Sequence, residues 1–138
     1  MTTARDIMKS GAQWVSKEQT VENAARIMAR RDVDALVVGD DNDRMCGVIG
    51  YRDIVVRCVA EGLPPARTTV GDLCSGTPRW VTSDSDLTKV LDEMNSHHIK
   101  HLPVIEDRRL IGTIGETDLV DHLDAAQLGE FTRAHAGS

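Results

Sequence analysis

Apolar residues recur along this chain in two rhythms. Val21, Ala24, Ala25 and Met28 stand at i, i+3, i+4 and i+7, the spacing that lines one face of a helix. Leu87, Val90, Leu91 and Met94 repeat that spacing further on. Thr20 and Asp86 precede the two segments and predict N-caps, because their side-chain oxygens accept otherwise free backbone N–H groups. Between the helical stretches lie short, β-branched apolar runs. Ala35-Leu36-Val37-Val38 and Leu102-Pro103-Val104-Ile105 predict buried strands, and residues 45–49 and 110–114 predict the strands that follow. Asp40-Asp41-Asn42-Asp43 and Glu106-Asp107 predict the intervening turns. A further helix is expected to begin near Arg52 and again near Thr117.

The two halves are copies of one pattern. Trp14-Val15 recurs as Trp80-Val81, an offset of 66 residues that also carries Asp6 to Asp72, Met28 to Met94 and Leu36 to Leu102. Past a loop one residue longer in the first copy the offset becomes 65, carrying Gly47 to Gly112, Gly50 to Gly115 and Asp53 to Asp118. Each copy reads strand, helix, strand, strand, helix, an α+β arrangement. The expected organisation is a first repeat over 1–61, a linker over 62–67, a second repeat over 68–124 and a tail over 125–138. Gly62, Pro64 and Pro65 make the linker short and stiff. The tail, ending Ala134-His135-Ala136-Gly137-Ser138, is expected to add a short helix and then fray. A copy of roughly 60 residues buries too little surface to be stable alone. The two copies are therefore expected to pack as a pseudo-twofold pair with a cleft between them.

Composition narrows the function. Of 138 residues, 41% are hydrophobic and 28% charged, which excludes wholesale disorder. The net charge of −6 argues against a general nucleic-acid binder, since an acidic surface repels phosphate backbones. No apolar run is long enough to span a bilayer, and the opening residues lack a signal-peptide layout, so a cytoplasmic protein is expected. Cys46, Cys58 and Cys74 show no C-x-x-C spacing and read as free thiols or small buried hydrophobes. His97, His98 and His101 lack the Cys or carboxylate that would complete a metal set by spacing, so no metal site is expected. There is no nucleophile–base pair and no Gly-rich phosphate loop, so the chain is not read as an enzyme.

The duplicated segments Asp6-Ile7-Met8, residues 35–38 and residues 47–54, with their partners Asp72-Leu73-Cys74, residues 101–105 and residues 112–119, resemble the CBS domain family. The tandem resembles a Bateman module. More narrowly, the opening residues and the connector around Gly62-Leu63-Pro64 resemble the hypoxic-response type of stand-alone CBS pair. The resemblance implies a regulatory binding module with a link to stress. Its implied ligand is an adenosine derivative such as AMP, ATP or S-adenosylmethionine, held in the inter-repeat cleft, and its output reaches an effector protein in trans. It also implies a homodimer. Ile54, Val55, Cys58 and Val59, with Leu119, Val120 and Leu123, offer the apolar helix surface expected for that contact.

The implied site residues follow from the same resemblance. Asp53 and Asp118 occupy the place of the carboxylate that holds ribose hydroxyls; each equally fits N3 of a helix, satisfying free N–H groups. Gly50 and Gly115 stand where the family carries Ser or Thr, which removes a hydroxyl contact to phosphate at both sites. Trp14 and Trp80 fall on the first strand of each copy, where the resemblance places adenine. They read as stacking platforms, as plugs that keep the pockets closed, or as paired core residues. Lys100 and His101 supply a basic pair in the second copy where the first has Asp34-Ala35, and Arg52 and Arg79 add charge or remain solvated. The alternative to a sensor is a ligand-free dimeric scaffold, or protein-interaction module, whose clefts the tryptophans close.

Overall fold

In a computed structural model the described residues are 1–11, 14–42, 44–74 and 79–136. Asp43 of the first predicted turn and Gly137-Ser138 of the tail lie outside them. The chain forms two compact units, one of residues 13–78 and the other of residues 1–12 with 79–138.

The unit of residues 13–78 holds a three-stranded sheet in the order β2 (Trp14–Ser16), β3 (Ala35–Gly39), β4 (Met45–Gly50). β2 runs parallel to β3, and β3 antiparallel to β4. The parallel pair needs a crossover, and α2 (Val21–Arg31) supplies it. Thr20 caps α2 as predicted, accepting the Asn23 N–H at 3.1 Å. Val21, Ala24 and Met28 are buried. Ala25 is exposed, and Ile27 packs against the core in its place, because the buried stripe of this helix leans toward the i+3 row. β4 runs into α3 (Tyr51–Ile54), which continues as a π-helix over Val55–Val59. A short helix the periodicity did not predict, α4 (Val70–Leu73), packs onto the same core. The Val21 N–H donates to Thr68 O at 2.8 Å and the Gly71 N–H to Lys17 O at 2.9 Å, tying this segment to the first repeat.

The other unit repeats the plan with additions. Its sheet has the order β1 (Lys9–Ser10), β7 (Arg109–Gly115), β6 (His101–Glu106), β5 (Val81–Thr82). α5 (Leu87–Ser96) is capped by Asp86, which accepts the Lys89 N–H at 2.9 Å. The hairpin between β6 and β7 turns at Asp107-Arg108, both with positive φ, so the turn lies one residue later than predicted and Glu106 pairs with Arg109. α6 (Glu116–Val120) follows β7. The tail forms more than a short helix. α7 (Ala125–Ala134) spans ten residues, is capped by Asp124 and sets Phe131 into the core at 5% exposure.

Residues 1–10, which open the first repeat in sequence, build the unit of the second. α1 (Ala4–Ile7) buries Ala4 and Ile7 there. The Ala4 N–H donates to Ser85 O at 2.7 Å, the Leu87 N–H donates to Thr2 O at 3.1 Å, and Arg5 forms an ion pair with Glu106. Sequence repeat and compact unit thus differ by an exchange of leading segments. Gly112 is needed for this docking. A Cβ there would meet Lys9 O and Met8 Sδ, each at 2.6 Å, so a side chain would push β1 off β7.

Candidate functional site

The ten site residues expected from sequence divide between the units. Trp14, Gly50, Arg52 and Asp53 fall in one, and Arg79, Trp80, Lys100, His101, Gly115 and Asp118 in the other.

Both aspartates sit at N3 of short helices. Gly50 and Gly115 are the N-caps, extended in backbone and without a side chain to cap with. The carboxylate therefore reaches back: Asp53 Oδ2 accepts the Gly50 N–H and Asp118 Oδ2 accepts the Gly115 N–H, each at 2.8 Å. Each aspartate spends one oxygen on its helix. Around Asp118 further groups gather. Lys9 Nζ lies 3.9 Å from Asp118 Oδ1, and a Cβ built on Gly115 would stand 3.4 Å from Asp118 Oδ2 and 3.5 Å from His101 Nδ1. Lys9, His101, Gly115 and Asp118 therefore form one cluster at the end of β7. Sequence reasoning missed Lys9, because it reaches this site through the exchanged segment, with no spacing to signal it.

The basic pair separates. Lys100 lies 3.9 Å from Glu116 Oε1 and opens onto a groove of about 460 Å³ between α6 and α7, lined in part by Val120, Leu128, Phe131 and His135. His101 lies beside Gly115 instead. Burial lowers the pKa of His135, and nearby His98 and Lys100 lower it further against the opposing pull of Glu116.

Arg79 is engaged elsewhere. Its guanidinium donates to Glu93 through Nε at 2.8 Å and Nη2 at 3.3 Å, and Lys89 Nζ joins the same carboxylate at 3.1 Å. Glu93 is 7% exposed, and these hydrogen bonds, Arg79 first, pull its carboxyl down to about 2. Arg79 is thus the counter-ion of a buried acid. Arg52 is exposed on α3.

The tryptophans are not core residues. Trp14 is 37% and Trp80 50% exposed, and neither joins a buried cluster. Trp14 begins β2 opposite Val37, and its indole lies over Gly39, where a Cβ would fall 1.8 Å from Cζ2. The equivalent of Gly39 in the second copy is Ile105, which offers no such bare seat. β5 begins at Val81, one residue later than β2, so Trp80 is off the strand; the residue matching Val37 is Pro103, which has no N–H for the ladder.

The apolar surface after Asp53 is also redistributed. Ile54 and Cys58 are buried, as is Leu119 in the second copy, so they belong to the cores and are not contact surface. Tyr51, Val55, Val56 and Val59 are the exposed ones, at 60, 55, 45 and 59%. The three cysteines all lie in the unit of residues 13–78. Burial, with smaller effects of Cys46 and Asp53, raises the Cys74 thiol to about 11, which keeps it protonated and poorly nucleophilic. Among the described residues no three His, Cys, Asp or Glu side chains are grouped to hold a metal, and no helix is long and apolar enough to cross a membrane.

The two strand–helix–strand–strand–helix repeats, each with a Gly-x-x-Asp turn before its last helix, match the CBS domain model over residues 4–59 and 70–125, and the chain belongs to the CBS domain family. Within it the chain is similar to hypoxic response protein 1 of Mycobacterium tuberculosis, at 36% identity over 97% of this chain and 94% of that protein. The crystal structure of Hypoxic Response Protein I, described with two coordinated zinc ions, superposes with a TM-score of 0.76, covering 89% of this chain and all of that one. A conserved CBS domain protein of Thermoplasma acidophilum, 25% identical, gives a TM-score of 0.86 over 99% of this chain and 78% of its own. The chain is thus a CBS-pair protein of the regulatory kind.

Proposed function

We propose that this CBS pair is a stand-alone sensor that binds an adenosine-type ligand at the Asp118 cluster and passes its state to a partner protein in trans. The single observation that carries this reading is the state of Asp118. One oxygen accepts the Gly115 N–H, the other lies 3.9 Å from Lys9 Nζ, and His101 stands close by. A carboxylate accepts both hydroxyls of a ribose, and neighbouring nitrogen donors suit an attached anionic group. Binding changes output only if the ligand prefers one conformation. Similarity to hypoxic response protein 1 supports a role under stress, and the proposal places the protein in the cytoplasm.

The proposal includes a homodimer. Tyr51, Val55, Val56 and Val59 form an exposed apolar stripe, and a second copy covers it isologously.

A second reading, a ligand-free dimeric scaffold, draws on Trp14. Its indole rests on the bare backbone of Gly39, along the strand where the family resemblance places adenine, and so closes that unit to a base. Thermal-shift and calorimetric titration with adenosine, AMP, ATP, NAD and S-adenosylmethionine separates the two. The sensor requires saturable binding that Asp118→Ala weakens and Asp53→Ala leaves largely intact. Absence of binding to every compound leaves the scaffold.

A further inference from the structure

We infer that Lys9 is the residue that sets charge selectivity at the Asp118 site, favouring phosphorylated over neutral adenosine derivatives; this rests on the sensor reading above. Lys9 is held by its backbone, while its side chain reaches into solvent. Its strand is registered against β7, with Lys9 opposite Thr113 and Ser10 opposite Gly112. The close approach at Gly112 and the Arg5–Glu106 pair secure the strand on both sides. The Lys9 side chain is nevertheless 71% exposed, while that of Asp118 is 12% exposed.

At 3.9 Å, in contact with water, the ammonium is loosely attracted to Asp118 Oδ1. Oδ2 already accepts the Gly115 N–H, so Oδ1 is the less occupied oxygen for a ribose hydroxyl. A nucleoside arriving there displaces Lys9 from Asp118 and offers no anion in return. A nucleotide offers a phosphate, and the ammonium moves from one anion to the other, keeping a charge-assisted contact. Lys9 so replaces the hydroxyl that Gly115 lacks. The residue matching Lys9 in the other copy is Ser75, which is uncharged, so the selectivity belongs to the Asp118 site.

The test is calorimetry with AMP and with adenosine on the wild type, Lys9→Met and Lys9→Arg. Met keeps the aliphatic stem and removes the charge. Lys9→Met is expected to weaken AMP about tenfold, the loss of one exposed charge-assisted contact, while adenosine binds as before or more tightly. Lys9→Arg is expected to restore AMP. Wild type that binds both compounds, with an AMP-to-adenosine ratio unchanged in Lys9→Met, overturns the assignment of Lys9 and leaves the sensor standing. Wild type that binds neither overturns the sensor reading, and the role of Lys9 with it.

Discussion

The two units are built from one repeated motif and finish its last helix differently. After Asp53 come Val55, Val56 and Val59, exposed and preceded by exposed Tyr51. At the matching places of the second copy stand Val120, Asp121 and Asp124, preceded by Glu116. Val120 packs against the core, and Asp124 caps the added helix α7. One copy therefore ends in an apolar stripe facing outward, and the other in acids and a covering helix. A shared fold fixes where these positions point, and the side chains placed there decide whether the surface seeks a neighbour or water.

The largest expected effect comes from removing the covering helix's anchor. Phe131→Ala should destabilise the protein by about 3–5 kcal/mol, the usual result of emptying a buried aromatic site. Chemical denaturation checks it; a loss below about 1 kcal/mol would mean that α7 rests on the surface and the contrast between units is shallow.

Copying the acids of one unit onto the other is the next test. Val56→Asp with Val59→Asp reproduces Asp121 and Asp124. Light scattering should show the proposed dimer weakened on the order of 100-fold, roughly 3 kcal/mol, with the fold intact because both valines are exposed. A dimer indifferent to both charges places its interface elsewhere.

The Arg79–Glu93 pair has no counterpart in the first copy, where Gln13 and Ile27 occupy the matching positions. Glu93 has a depressed folded pKa of about 2, so the stability it adds is complete above the ordinary carboxylate range and is lost as pH falls from there toward 2. Glu93→Gln should cost about 1–3 kcal/mol at neutral pH and should flatten the acid limb of the stability profile. An acid limb identical to wild type would show that Glu93 contributes no linkage.

The smallest effect sharpens the contrast between the tryptophans. Gly39→Ala gives the first copy a side chain where the second has Ile105, and the Cβ cannot coexist with the indole where it lies. Trp14 should swing outward, and intrinsic fluorescence should shift to the red. In the same variant a second nucleotide equivalent appearing in calorimetry would identify Trp14 as a plug; an unchanged spectrum would mean that Gly39 is not its seat.

Much of this was legible in sequence, for physical reasons. α2 and α5 announce themselves by period and by the caps Thr20 and Asp86, and the Gly-x-x-Asp turns by duplication. The short helices α1 and α4 are only four residues long and show no period, so the exchange they create went unread, and Lys9 with it. Trp14 and Trp80 look equivalent in sequence, yet Gly39 against Ile105 and Val37 against Pro103 set them apart, differences that acquire meaning only once strands are in register. Arg79 reads in sequence as added charge or a solvated residue, because its partner Glu93 lies fourteen residues away on α5.

The exchange of leading segments also sets an order of assembly. On the ribosome, residues 13–78 emerge together and can close their unit while the rest is still being made. Residues 1–10 must wait for β7 and α5, which lie some hundred residues downstream, a delay of several seconds at about 5–20 residues per second. During that interval Ala4, Ile7 and Met8 remain uncovered, and β1 waits for a strand made long after it.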